Sequence, residues 1–153
     1  MALDDDIRDM AQLPIFQGIE PEALRLMAFS AETKILRAGD VLFSRGDASD
    51  SGYLVVSGSF LIEQGEGAEG AARIISPHSL IGEMALVTAT ERPATIVAHE
   101  HSTVLKITRS VFHRVLKEYP RSAVRVRKAL ESRLVDFTSA LATNQDLSDE
   151  LKA

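Results

Sequence analysis

Between residues 33 and 108 the chain repeats one pattern that few folds can satisfy: short β-type runs, closed again and again by glycine-rich or polar turns. The runs are "TKILRAGD", "VLFSRGD", "GYLVVSGS", "FLIEQGEG", "ARIISP", "ATIVA" and "STVLKIT". Their turn signals recur about every 8–12 residues, the spacing of strands that close on each other as a sandwich or barrel. The expected class is therefore mainly β with flanking helices, a jelly-roll-like β-roll (double-stranded β-helix) of seven or eight strands. "GEGAEG", residues 65–70, reads as a hairpin tip.

The flanks read differently. In "DIRDMAQLPIF", Ile7, Met10, Ala11 and Leu13 fall at helical spacing until Pro14 stops the run. In "GIEPEALRLMAFS", Pro21 sits near a helix start, with Leu24, Met27 and Ala28 on one side. A long helical region runs from about Arg109 to Thr143, broken at Pro120, and "NQDLSDELKA" is a polar tail. The expected organisation is one domain over 1–153: N-terminal helices 1–32, β-roll 33–108, C-terminal helices 109–143 and tail 144–153. A chain of 153 residues suits this, since a domain of that size buries about two-thirds of its unfolded surface.

Bulk properties exclude several function classes. With no Cys there is no disulfide, thiolate metal site or cysteine nucleophile. "MALDDDIRDM" is acidic and lacks the basic-then-apolar layout of a signal peptide, and no apolar run approaches the roughly 18 residues of a membrane span. A soluble, cytoplasmic protein is expected. The net charge of −5 argues against a broad nucleic-acid surface, yet Lys106 to Arg133 carries nine Lys or Arg against two Glu. That segment reads as a solvated helix face, with a patch for an acidic partner as the alternative.

The stretch "SLIGEMALVTATERPATIVA", residues 79–98, carries the chemistry. If "RIIS" and "ATIVA" are strands of one roll, residues 79–93 form a long connection, and such connections often serve function. Gly82 leads into a single helical turn, "EMAL", whose leading N–H groups attract phosphate. Arg92 returns nine residues after Glu83 and can fork onto phosphate oxygens, while Glu83 can accept from sugar hydroxyls. Carboxylate, guanidinium and helix start together describe a nucleotide with neighbouring hydroxyl and phosphate. A surface salt bridge spanning a loop is the alternative that the residues alone leave open.

The chain resembles the cyclic nucleotide-binding domain family, found in catabolite activator protein, kinase regulatory subunits and gated channels. The family's phosphate-binding cassette reads here Ile81-Gly82-Glu83-Met84-Ala85-Leu86, then Arg92-Pro93-Ala94-Thr95-Ile96, with kinase-regulatory spacing. "LPIFQGIEPEALRLMA" resembles its helical lead-in, "ILRAGDVLFSRGD" its Gly-Asp turns, and "YLVVSGSFLI" its Gly-turned hairpin. "TVLKITRSVFHRVLKEYP" resembles its last strand and following helix, so the likeness runs from about Leu13 to Pro120. The resemblance implies a ligand site at Gly82, Glu83, Met84, Ala85, Arg92, Pro93 and Ala94. Within it Glu83 accepts from the ribose 2′-hydroxyl, Arg92 pairs with the cyclic phosphate, and the Ala85 N–H reaches the same phosphate. The departure is Pro93, where the family has a small residue or Thr/Ser whose N–H donates to the phosphate. Proline has no N–H to give.

Rival constellations are weaker. His99 and His101 in "AHEHS" would share one face if they lay on a strand, as in the His-x-His of metal-binding cupins, but Leu105, Lys106 and Pro93 stand where that pattern needs Glu and Gly, and a polar turn between strands is the favoured reading. His78 and His113 stand alone, and no acid pair or Ser-His-Asp set suggests an enzyme. Val126, Leu130, Leu134, Phe137 and Leu141 form a helical stripe, which either packs on the roll or forms a homodimer seam. Only 33 residues follow Pro120, too few for the DNA-binding domain of the family's transcription factors. The expected function is a stand-alone, bacterial-type regulatory domain that binds cAMP or cGMP and signals to a protein partner in trans. No cofactor is expected beyond that ligand. The alternative is a protein-interaction or dimerisation module with a degenerate, non-binding pocket.

Overall fold

The computed structural model describes residues 2–63, 73–129 and 131. The hairpin tip expected at 65–70, Leu130 to Leu141 of the expected stripe, and the tail 144–153 lie outside the described residues.

The two helical flanks form where the apolar spacing places them. Helix α1 spans Ala2–Gln12 and stops ahead of Pro14, which instead opens a 3-10 turn, Pro14–Phe16. Helix α2, Pro21–Ser30, starts on a proline that needs no partner for a missing N–H. Met10, Ile15, Phe16, Ala23, Leu24 and Met27 are buried from these segments; Ala11, expected on the same face, is exposed.

Eight strands are described. They are β1 (Glu32–Leu36), β2 (Val41–Phe43), β3 (Ser51–Ser57), β4 (Phe60–Glu63), β5 (Arg73–Ile75), β6 (Leu80–Ile81), β7 (Thr95–Ala98) and β8 (Ser102–Thr108). All pair antiparallel in two four-stranded sheets, ordered β1-β8-β3-β6 and β2-β7-β4-β5. This is the expected β-roll with flanking helices.

The strands of one sheet separate two cores. Tyr53, Val55 and Val104 point into the roll with Leu36, Phe60, Ile81, Ile96 and Ala98. Leu54, Leu105 and Ile107 point outward onto the helices, against Met10, Phe16, Met27 and Phe112. Alternation of side chains along a strand makes this division, and burial on both faces explains why "YLVV" reads as a continuous apolar run.

Helix α3, Arg109–Glu118, follows β8 without a loop. Thr108 caps it, its side chain accepting from the Val111 N–H at 3.2 Å. Thr108→Ala should cost about 1 kcal/mol, the usual worth of such a cap, as a shift in urea midpoint with unchanged m-value. Pro120 breaks the helix by forcing the preceding Tyr119 out of helical geometry (φ −123°, ψ 75°), and a second helical run covers 120–129. That run is tied back to the start of α2: the Glu20 N–H donates to Ser122 Oγ at 3.0 Å, and Arg125 Nη1 donates to the Gly18 carbonyl at 2.8 Å. Val126, the described member of the expected stripe, is 2% exposed and belongs to the helical core.

Candidate functional site

Strand β6 delivers the chain to Gly82, which takes a left-handed conformation (φ +75°) and starts a 3-10 turn, Glu83–Leu86. A side chain at Gly82 meets two obstacles. The backbone angle disfavours it, and a Cβ there would stand 2.5 Å from Arg92 Nη1. Ala85 and Leu86 anchor the turn in the interior, whereas Met84 is 42% exposed. The turn is too short and too tight for an α-helix. The Ala85 N–H, assigned to a phosphate, donates here to the Gly82 carbonyl at 3.1 Å, the bond that closes the 3-10 turn.

Arg92 is 5% exposed. Its guanidinium lies over the Phe43 ring, 4.2 Å from the centroid, and 5.6 Å from that of Tyr53. Nη2 donates to the Ser51 carbonyl at 2.8 Å. Burial pulls the Arg92 pKa down from its ordinary value, while Tyr53, Asp50 and Asp47 oppose the shift and Arg109 adds to it. The guanidinium keeps its charge at neutral pH, because arginine starts far above it. Asp50 is held below the usual carboxylate range by the hydrogen bond from Ser51, with help from Lys106 and Arg92.

The main chain of Arg92 is fixed as well. Its N–H donates to Asp47 O and its carbonyl accepts from the Gly46 N–H, each at 2.8 Å, beside a β-bridge between Ala48 and Glu91. This strand-like pairing is what a following proline favours, so Pro93 suits the local backbone even though it brings no donor.

These pieces border a cleft of about 490 Å³. Gly82, Glu83, Met84, Ala85, Arg92 and Pro93 all line it, so six of the seven expected site residues meet at one surface. Ala94 does not; it is half-buried beside the start of β7. Leu13, Pro14, Leu80 and Thr90 complete the wall and were missed from the sequence. Leu80 lies two residues before Gly82 and was within reach of a wider reading of the motif. Leu13 and Pro14 are some seventy residues away, and nothing in "LPIF" signals a role at this cleft. Thr90 is fastened to Ser49 by a hydroxyl pair at 2.8 Å and by its N–H to Ser49 Oγ at 3.1 Å.

The other singled-out residues are placed as follows. His99 and His101 are exposed around the turn from β7 to β8, and among the described residues no cluster of three His, Cys, Asp or Glu could hold a metal ion. His78 does not stand alone: its Nδ1 is 2.7 Å from Asp9 Oδ2 of α1. Of the basic segment, Arg109 and Arg125 are bound to backbone carbonyls, while Arg114, Lys117, Arg121, Arg127 and Lys128 are exposed. No described helix is long and apolar enough to cross a membrane.

Comparisons with known proteins agree with this fold. The family model for the cyclic nucleotide-binding domain matches residues 33–119. A solved structure of a cyclic nucleotide-binding-like protein from Brucella abortus is 40% identical, covering 74% of this chain and 99% of that one with a TM-score of 0.68. The N-terminal domain of a transcriptional regulator from Streptomyces coelicolor is 25% identical over 87% of this chain and 94% of that one, at a TM-score of 0.78. Lysophospholipase nte1 of Aspergillus terreus is 30% identical over 82% of this chain, which spans only 8% of the fungal protein's length. The chain belongs to the cyclic nucleotide-binding domain family.

Proposed function

We propose that the cleft binds a cyclic nucleotide, cAMP or cGMP, and that the chain is a regulatory domain whose bound state is read by a protein partner. The observation that carries this reading is the placement of one buried cation, Arg92, on the wall of a cleft it shares with Glu83 and the Gly82 turn. A cleft of about 490 Å³ falls in the usual range for small-molecule sites. Arg92 meets the phosphate and Glu83 the ribose hydroxyl, with the apolar wall at Leu13, Pro14, Leu80 and Met84 beside them. A similar stretch forms a small part of a much longer lysophospholipase, which supports a module that is joined to other functions rather than a catalyst in itself. Cytoplasmic residence and a bacterial source fit this reading.

Pro93 favours a second reading, a protein-interaction or homodimerisation module whose pocket no longer binds. Relative to a residue with an N–H, a missing donor to a charged oxygen costs about 1.5–3 kcal/mol, roughly tenfold to a hundredfold in affinity. The two readings separate in one experiment. Pro93→Ala restores the N–H and should tighten cyclic nucleotide binding about tenfold when titrated beside the parent chain. Unchanged affinity would place the phosphate elsewhere, and no binding by either protein would favour the interaction module.

A further inference from the structure

Two arginines from different parts of the chain hold one short stretch of backbone. Ser51 O accepts from Arg92 Nη2 at 2.8 Å, Asp50 O accepts from the Arg109 N–H at 2.7 Å, and Ser49 O accepts from Arg109 Nη2 at 2.5 Å. Arg109 Nε donates in addition to Ala85 O at 2.8 Å. One half-buried guanidinium therefore joins three pieces of structure. It is the first residue of α3, it holds Ser49, which is bonded to Thr90, and it holds the 3-10 turn that lines the cleft. The planar fork of arginine suits two carbonyls in a way that the single ammonium of lysine does not.

The proximity of the two guanidiniums has an electrostatic side. Arg109 is close enough to Arg92 to disfavour its charge, and an anion in the cleft would relieve that repulsion. Elsewhere α3 meets the turn through apolar packing, with Leu86 and Phe112 in one core. Packing of that kind tolerates sliding, whereas two short directional bonds fix position.

We propose that Arg109 is a positioning residue: it fixes the 3-10 turn against Ser49 and the start of α3.

Hydrogen–deuterium exchange on the full chain tests this. In the ligand-free protein, Arg109→Ala should raise exchange at Val87 and Thr88, whose N–H groups close the turn onto Met84 O, by about tenfold. Exchange at Leu54 and Val55 in β3 should stay unchanged, and Arg109→Lys should fall between. Should Arg109→Ala fail to fold, Arg109→Lys carries the same comparison. Unchanged exchange at 87–88, or a rise shared equally by β3, would overturn the positioning role.

Discussion

Arg92→Ala should abolish measurable cyclic nucleotide binding, raising Kd by at least about a hundredfold. A forked guanidinium makes charge-assisted bonds with phosphate worth about 1.5–3 kcal/mol each, and two of them account for that loss. The expected effect is large because among the described residues lining the cleft Arg92 is the only cation. The same substitution also withdraws the side chain from Phe43 and leaves the Ser51 carbonyl without its donor. Thermal melts belong beside the titrations for that reason. Arg92→Lys keeps the charge without the fork, and should bind weakly but measurably. Glu83→Ala, which loses only the acceptor for a sugar hydroxyl, should weaken binding by a smaller factor. Wild-type affinity in a folded Arg92→Ala protein would remove the site from this cleft.

Gly58→Ala should be among the most destabilising single changes available in the roll, costing about 2–5 kcal/mol. Gly58 turns the chain from β3 to β4 at φ +84°, a left-handed conformation that costs other residues about 1–2 kcal/mol. Its added Cβ would stand 2.1 Å from Ser102 Oγ and 2.6 Å from Ser102 Cα. Overpacking of this kind adds about 1–3 kcal/mol. The hydroxyl cannot simply turn away. It accepts from the Ser59 N–H at 3.0 Å and lies within donating reach of the Glu100 and Ser59 carbonyls, at 2.8 and 3.1 Å. Nor would Ser102→Ala restore stability, since the clash with the Ser102 backbone persists. Urea unfolding of the two single variants and the double variant checks this. A loss below about 1 kcal/mol for Gly58→Ala would show that the turn relaxes at little cost.

How much of this was legible in the sequence depends on the range of the interactions. The roll was legible because its strands are short, apolar and punctuated by turns, so the signal is local. The spacing of Gly82-Glu83 and Arg92 located the cleft, and the left-handed angle at Gly82 gives that glycine a physical reason. What escaped involves contacts far apart in the chain. Leu13 and Pro14 reach the cleft through the packing of the N-terminal helices against the outer face of β3 and β8, which no local pattern encodes. The fate of a charge was equally hidden. Arg109 and Arg125 read like the solvated residues around them, yet each is bound to a carbonyl 24 to 107 positions away. His78 looked isolated because its partner, Asp9, is on another element. "EMAL" read as a helical turn, and only its geometry shows that a 3-10 hydrogen bond already occupies the Ala85 N–H.

The central claim is that this cleft binds a cyclic nucleotide despite Pro93. Calorimetric titration of the purified, nucleotide-stripped chain with cAMP and with cGMP, carried to millimolar ligand, tests it most directly. The account predicts saturable binding of at least one of them at one site per chain, in the micromolar range. No saturable heat from either nucleotide, with the protein folded throughout, would contradict it.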